Sequence, residues 1–131
     1  MIVDTSAVLA ILFAEPDAER YARAISDAVV CRMSVATFVE ISIVVEAQTG
    51  DGGSRQWDQF FRGAGITLDP VTEEQAYAAR QAWSEFGKGR GAAKLNFGDC
   101  FSYALAKTLG EPLLFKGTDF SKTDILAAND F

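Results

Sequence analysis

The feature that most constrains this chain is the alternation of short apolar runs with longer helical patterns. Met1 to Val3, Ala28 to Met33, Ile66 to Leu68 and Pro112 to Phe115 read as strands. Between them, apolar residues at helical spacing predict helices over Ser6 to Phe13, Asp17 to Asp27, Val35 to Gln48, Arg55 to Arg62, Glu73 to Phe86 and Phe97 to Leu109. Pro16 precedes the second of these, and Gly50, Gly63, Gly65, Gly87 and Gly110 stand where helices would stop. Strands separated by helices are joined by crossovers rather than tight hairpins, so the expectation is an α/β fold with a mostly parallel sheet.

A chain of 131 residues is of the size for one domain, taken here as residues 1 to 131, and 49% hydrophobic residues supply the core it needs. The apolar stretch Ala7 to Ala14 is far short of the ~20 residues a membrane helix needs, and Asp4 stands where a signal peptide would be positive. No membrane association and a cytoplasmic location are therefore expected. Cys31 and Cys100 match no metal-ligand spacing and read as reduced core thiols, although sequence does not rule out a disulfide. Two glycine-rich segments, Gly50 to Ser54 and Gly87 to Lys94, read as loops, the second as a mobile basic connector. Neither has the context of a phosphate-binding loop.

Histidine is absent, which removes Ser-His-Asp and Cys-His catalysis and histidine metal ligation. The net charge of −6 argues against a broad basic surface. Yet every lysine falls in residues 86 to 122: Lys88, Lys94, Lys107, Lys116 and Lys122, joined by Arg90, against Asp99, Glu111 and Asp119. That run is either a set of solvated helix faces or a local contact for a polyanion.

Four carboxylates are not explained by local structure. Asp4 and Asp119 each follow a strand pattern, at the carboxyl edge of a parallel sheet where ligands bind. Glu40 lies in a helix whose apolar residues cover most of its circumference, so it is expected to be partly buried and to need a metal or a cation such as Arg32 or Arg80. Asp99 stands three residues after Asn96, where it could equally complete a capping box. Singly, each is more often a cap or a turn residue; together they would repel one another unless something positive held them. Oxygen ligands without His or Cys select hard cations, so Mg²⁺ or Mn²⁺ is the expected cofactor, able to position a phosphodiester and activate water.

Four segments carry a resemblance: MIVDTSAVLAILFAEP, SVATFVEISIVVE, LNFGDCFSYALAK and PLLFKGTDFSKTDI. In order and spacing the chain resembles the PIN-domain ribonucleases, and among them the VapC toxins of bacterial type II toxin-antitoxin systems. The resemblance implies a PIN-like three-layer α/β/α sandwich, metal-dependent endonucleolytic cleavage of RNA, homodimerisation, and neutralisation by a cognate VapB-type antitoxin. Asp4, Glu40, Asp99 and Asp119 match the family's catalytic acids, with Asp4 and Asp99 the expected direct metal ligands. Ser6 corresponds to a small hydroxyl residue that helps hold the site, ahead of Thr5. Thr118 stands where many relatives have Asn, and Asp124 competes with Asp119 as fourth acid. The tail LAANDF gives little sign of a final edge strand.

Rival readings fit less well. A receiver-like phosphoacceptor domain would pair acids after the first strand, where Thr5 follows Asp4, and end a later strand on Asp; Asp51 instead follows a helical pattern. A haloacid-type phosphatase would want an acid at Ser6. An inactive PIN-like binding module would retain the acids without turnover.

Overall fold

The computed structural model describes residues 1–128; the end of the expected domain and of the LAANDF tail, residues 129 to 131, lies outside the described residues. Four strands, β1 (Ile2–Val3), β2 (Arg32–Ser34), β3 (Thr67–Asp69) and β4 (Leu113–Leu114), form one sheet in the order β3-β2-β1-β4, every pairing parallel. Five helices connect them: α1 (Thr5–Leu12), α2 (Ala18–Asp27), α3 (Val35–Ala64), α4 (Glu73–Phe86) and α5 (Phe97–Leu109).

Successive strand residues face opposite sides of a sheet, and here that alternation separates two cores. Val3, Met33 and Leu114 pack with α1, α2 and α3; Ile2, Leu113 and Phe115 pack with α4 and α5. The molecule is therefore a three-layer α/β/α sandwich. β1, β2 and β3 progress outward in one direction and β4 lies on the other flank of β1, so the order reverses between β1 and β4. The crevice at their carboxyl ends is the topological switch point, where α/β folds bind ligands.

Three expectations are corrected. The strand expected over Ala28 to Met33 begins only at Arg32, whose backbone N donates to Met1 O. Ahead of it, Val29 is fully exposed. The Gly50 to Ser54 loop is helical apart from Gly50 (φ 68°, ψ −156°), a conformation glycine tolerates. That one residue reverses α3 into a hairpin, in which Trp57 Nε1 donates to Ser42 Oγ and Phe38 meets Trp57 and Phe61 at centroid distances of 5.6 and 5.0 Å. Gly63 lies inside the helix, and Gly65, left-handed at φ 66°, ends it.

The third correction concerns the circumference of α3. Thr37, Ile41 and Val45 are buried, but Val35, Val39 and Ile43 are exposed. Each set recurs every four residues and the second is displaced by two, about 200° round the helix, so one stripe faces the sheet and the other faces outward.

Both thiols, Cys31 and Cys100, are free and buried. Among the described residues the tail adds a parallel bridge, Leu113 to Ala127. No helix among the described residues is long and apolar enough to cross a membrane.

Candidate active site

Asp4 stands where β1 gives way to α1. Its backbone N–H donates to Leu114 O across the switch point, and its carboxylate caps the helix by accepting from Ser6 N at 3.0 Å. The cap does not exhaust the side chain. Ser6 Oγ donates to the same oxygen, Oδ2, at 2.6 Å, and Ser102 Oγ, from α5, donates to Oδ1 at 2.6 Å. Ser102 in turn shares a 3.3 Å hydrogen bond with Thr37 of α3, and Ser6 Oγ accepts from Lys116 N just past β4. Asp4 is 2% exposed, so α1, α5 and, through Thr37, α3 converge on one buried carboxylate that is hydrogen-bonded as burial demands.

Glu40, in the second turn of α3, is partly buried, as its sequence setting suggested. Its partner is neither arginine considered: Thr5 Oγ1 donates to Glu40 Oε1, while Arg32 pairs with Asp69 and Glu111. Glu40 lies against Gly98 in the first turn of α5, where a Cβ would meet Glu40 Oε2 at 1.9 Å. Any larger residue there would make the Glu40 carboxylate shift.

Asp99 completes the capping box with Asn96: Asp99 N donates to Asn96 Oδ1 at 2.9 Å, and Asn96 N to Asp99 Oδ2 at 3.0 Å. The capping role is real and is not the whole role. Burial first, and then the negative charges of Asp4, Asp119 and Glu40, push the Asp99 carboxyl up to about 7, against the lowering effect of its bond to Asn96. The four acids thus share one electrostatic field. Asp99 also raises the thiol of neighbouring Cys100, which burial chiefly pushes up to about 11.

Asp119 is exposed and opens the short 3-10 turn Phe120–Lys122 without capping it. Asp124 is engaged elsewhere, accepting from Tyr103 Oη and Lys107 Nζ at 2.6 Å each, which hold it below the usual carboxylate range. Asp119 is among the acids whose charge raises Asp99. Among the described residues the ion pairs leave out Asp4, Glu40, Asp99 and Asp119.

This donor set suits a hard cation: Asp4, Glu40 and Asp119 act by charge on Asp99, none of the four is in an ion pair with a lysine or arginine among the described residues, and their donor atoms are oxygens. Among the described residues no three acids converge as a ready-made direct ligand set. An ion that takes one or two carboxylates and keeps several waters needs no such convergence. Ser102, Thr37 and Gly98 escaped the sequence reading. Helical spacing offered a signal, since Ser102 follows Asp99 and Thr37 precedes Glu40 by three residues, which puts each pair on neighbouring turns. Asp51, the residue a phosphoacceptor reading would use, is helical in α3 and away from any strand end.

Comparison with known proteins agrees with this architecture. A sequence model described as PIN domain matches residues 1–126. A protein named Ribonuclease VapC from Mycolicibacterium smegmatis is 50% identical over 129 residues, 98% of this chain and 100% of that one. Among solved structures, Mycobacterium tuberculosis VapC20, described as a sarcin-ricin loop cleaving toxin, superposes with a TM-score of 0.75 at 19% identity, covering 95% of both chains. A toxin-antitoxin complex from Klebsiella pneumoniae contains a chain of TM-score 0.71 at 14% identity, covering 99% of this chain and 98% of that one.

Proposed function

The chain belongs to the PIN domain family, among its VapC ribonucleases, and from that premise we propose that it is a Mg²⁺- or Mn²⁺-dependent endoribonuclease, the toxin of a VapBC-type pair. The observation that carries the reading is Asp99, a carboxyl pushed up to about 7 by burial and by three other acids. Such repulsion is tolerated where a cation is to be received.

In this reading Asp4 and Asp99 would hold the ion directly. When bound, a divalent cation supplies Lewis acidity toward a phosphate oxygen and lowers the pKa of a coordinated water. The protein's own part is positioning. Ser6 and Ser102 fix both oxygens of Asp4, which keeps its carboxylate from rotating. Thr5 holds Oε1 of Glu40 and leaves Oε2 over Gly98, where it can accept a proton from an attacking water or orient it. Asp99 has its proton affinity tuned close to neutrality, so ligand binding readily displaces that proton. Asp119, on the exposed rim, serves through water.

The partner is an antitoxin of the VapB type, and an arginine reaching the carboxylates would suit their charge, since its planar fork pairs bidentately. Homodimerisation and a cytoplasmic setting belong to the same reading, as does a single PIN domain spanning the chain.

Purified protein incubated with mixed RNA should cleave it in Mg²⁺ or Mn²⁺ and stop in excess EDTA. Cleavage that persists in EDTA, or that survives Asp99→Asn unchanged, overturns the proposal. Coexpression with a cognate VapB-type antitoxin should yield a complex whose cleavage is silenced.

A further inference from the structure

A second concave surface lies on the other side of the first turn of α5. It is a cleft of about 520 Å³ between α4 and α5, lined by Trp83, Phe97, Phe101 and Cys100, with Arg80 and Lys88 among its walls. Phe97, Cys100 and Phe101 share one face of α5, whereas Gly98 and Ser102, which touch Glu40 and Asp4, lie about 100° and 140° round the helix from Phe97. The cleft and the acids are therefore separated by little more than a helix, about 10 Å.

Its chemistry is unlike that of the acidic site. Among the described residues no carboxylate lines it. Phe97 is 78% exposed and Trp83 40%, which is unusual for large aromatics. Phe97 stands edge-on to Phe101 at 5.0 Å, and Trp83 is backed by Gly87, where a Cβ would meet ring atom Cε3 at 2.6 Å. Both rings are thus held from one side with the other side open. Arg80 and Lys88 enter no ion pair among the described residues. Arg80 also borders a polar hollow with Tyr77, Gln81 and Ser84, which carries the surface on along α4.

We propose that this cleft is a nucleobase seat, in which a base of single-stranded RNA stacks on Phe97 and Trp83 while Arg80 and Lys88 meet its flanking phosphates. The inference rests on the ribonuclease reading and deepens it by naming a place for the strand beyond the cut. Aromatic faces with adjacent cations bind single strands by stacking and charge, tolerant of sequence. They also explain how a chain of net charge −6 keeps a polyanion close, since the cations are local to the cleft.

The test uses tryptophan emission, because Trp57 is 2% exposed and Trp83 is the accessible indole. Short oligoadenylate and oligouridylate are titrated into the full chain in EDTA, so that binding is read without cleavage, and cleavage of mixed RNA is measured separately in Mg²⁺. Expected are quenching in the wild type, loss of quenching in Trp83→Phe, and affinity weakened roughly five- to a hundredfold in Phe97→Ala and Arg80→Ala. Both variants should melt like the wild type. Wild-type cleavage without Trp83 quenching, or unchanged affinity in Phe97→Ala, overturns the seat. Quenching without any cleavage instead overturns the ribonuclease reading and supports the seat. If Phe97→Ala leaves oligonucleotide affinity intact but dissociates a dimer in sedimentation, or releases a bound antitoxin, the cleft seats a protein and the proposal falls.

Discussion

Ser102 Oγ lies 2.6 Å from Asp4 Oδ1, a hydrogen bond between α5 and the end of β1 that spans 98 residues of chain. Both residues are buried, at 1% and 2% exposure. Ser102→Ala should therefore leave a buried carboxylate oxygen short of a donor and destabilise the fold by about 1–3 kcal/mol. Thermal melts check this, and cation titration checks the second expectation, that affinity falls because Asp4 is freed to rotate.

Asp99 predicts how stability depends on pH. Its folded pKa, about 7, is above the ordinary 3.8, so between those values the folded chain binds more protons than the unfolded one. Stability from this group is then greatest at low pH and declines as pH rises from about 4 through 7. Metal-free protein should lose part of its melting temperature between pH 5 and pH 8, and Asp99→Asn should flatten that slope and melt higher at pH 8. A slope unchanged by the substitution counts against the shared field. Mg²⁺ should bind more weakly as pH falls below about 7, because protons compete for the same oxygens.

Glu40 and Gly98 offer a matched pair of substitutions. Glu40→Gln keeps the shape of the side chain and should lower cation affinity more than it lowers metal-free stability; the opposite pattern would indicate a structural charge. Gly98→Ala would set a methyl 1.9 Å from Glu40 Oε2, and the carboxylate must move away from Thr5. Cleavage should fall tenfold or more, since a displacement of about 1 Å at a catalytic group commonly costs that much. Because alanine favours helix over glycine by about 1 kcal/mol, stability should hold.

The fourth acid is separable by comparing Asp119→Asn with Asp124→Asn. Asp124 forms a half-exposed pair with Lys107, worth roughly 0–1 kcal/mol, so its loss should shift the melt slightly and spare cleavage. Asp119→Asn should do the reverse and reduce cleavage with little change in the melt. If the two exchange outcomes, Asp124 belongs to the site.

Much of this arrangement was legible in the sequence because it follows local rules. The helices α4 and α5 begin and end where caps and glycines indicate, with Asn96 and Asp99 forming the anticipated capping box and Gly110 the left-handed stop at φ 65°. The hairpin in α3 was not legible. A cluster of three glycines around an aspartate reads as a loop, and the continuation of the helix beyond Gly50 is held by distant contacts, Trp57 and Phe61 against Phe38 and Trp57 Nε1 on Ser42 Oγ. The outward stripe Val35, Val39 and Ile43 was hidden for a related reason, since periodicity reports apolar positions and not which of two apolar faces has a neighbour.

What the sequence determined by itself was the order of strands and helices, the four acids, and the absence of histidine that leaves oxygen chemistry to them. Tertiary structure alone decided that Asp124 pairs with Tyr103 and Lys107, that Glu40 takes a hydroxyl instead of an arginine, and that Ser102 reaches Asp4. It also decided that Asp99 feels three other charges. The physical reason is range: caps and periodicity act within a turn or two of chain, whereas hydrogen bonds between distant segments and the field of one carboxylate on another depend on separations in space, which exist only once the sheet has brought its strand ends together.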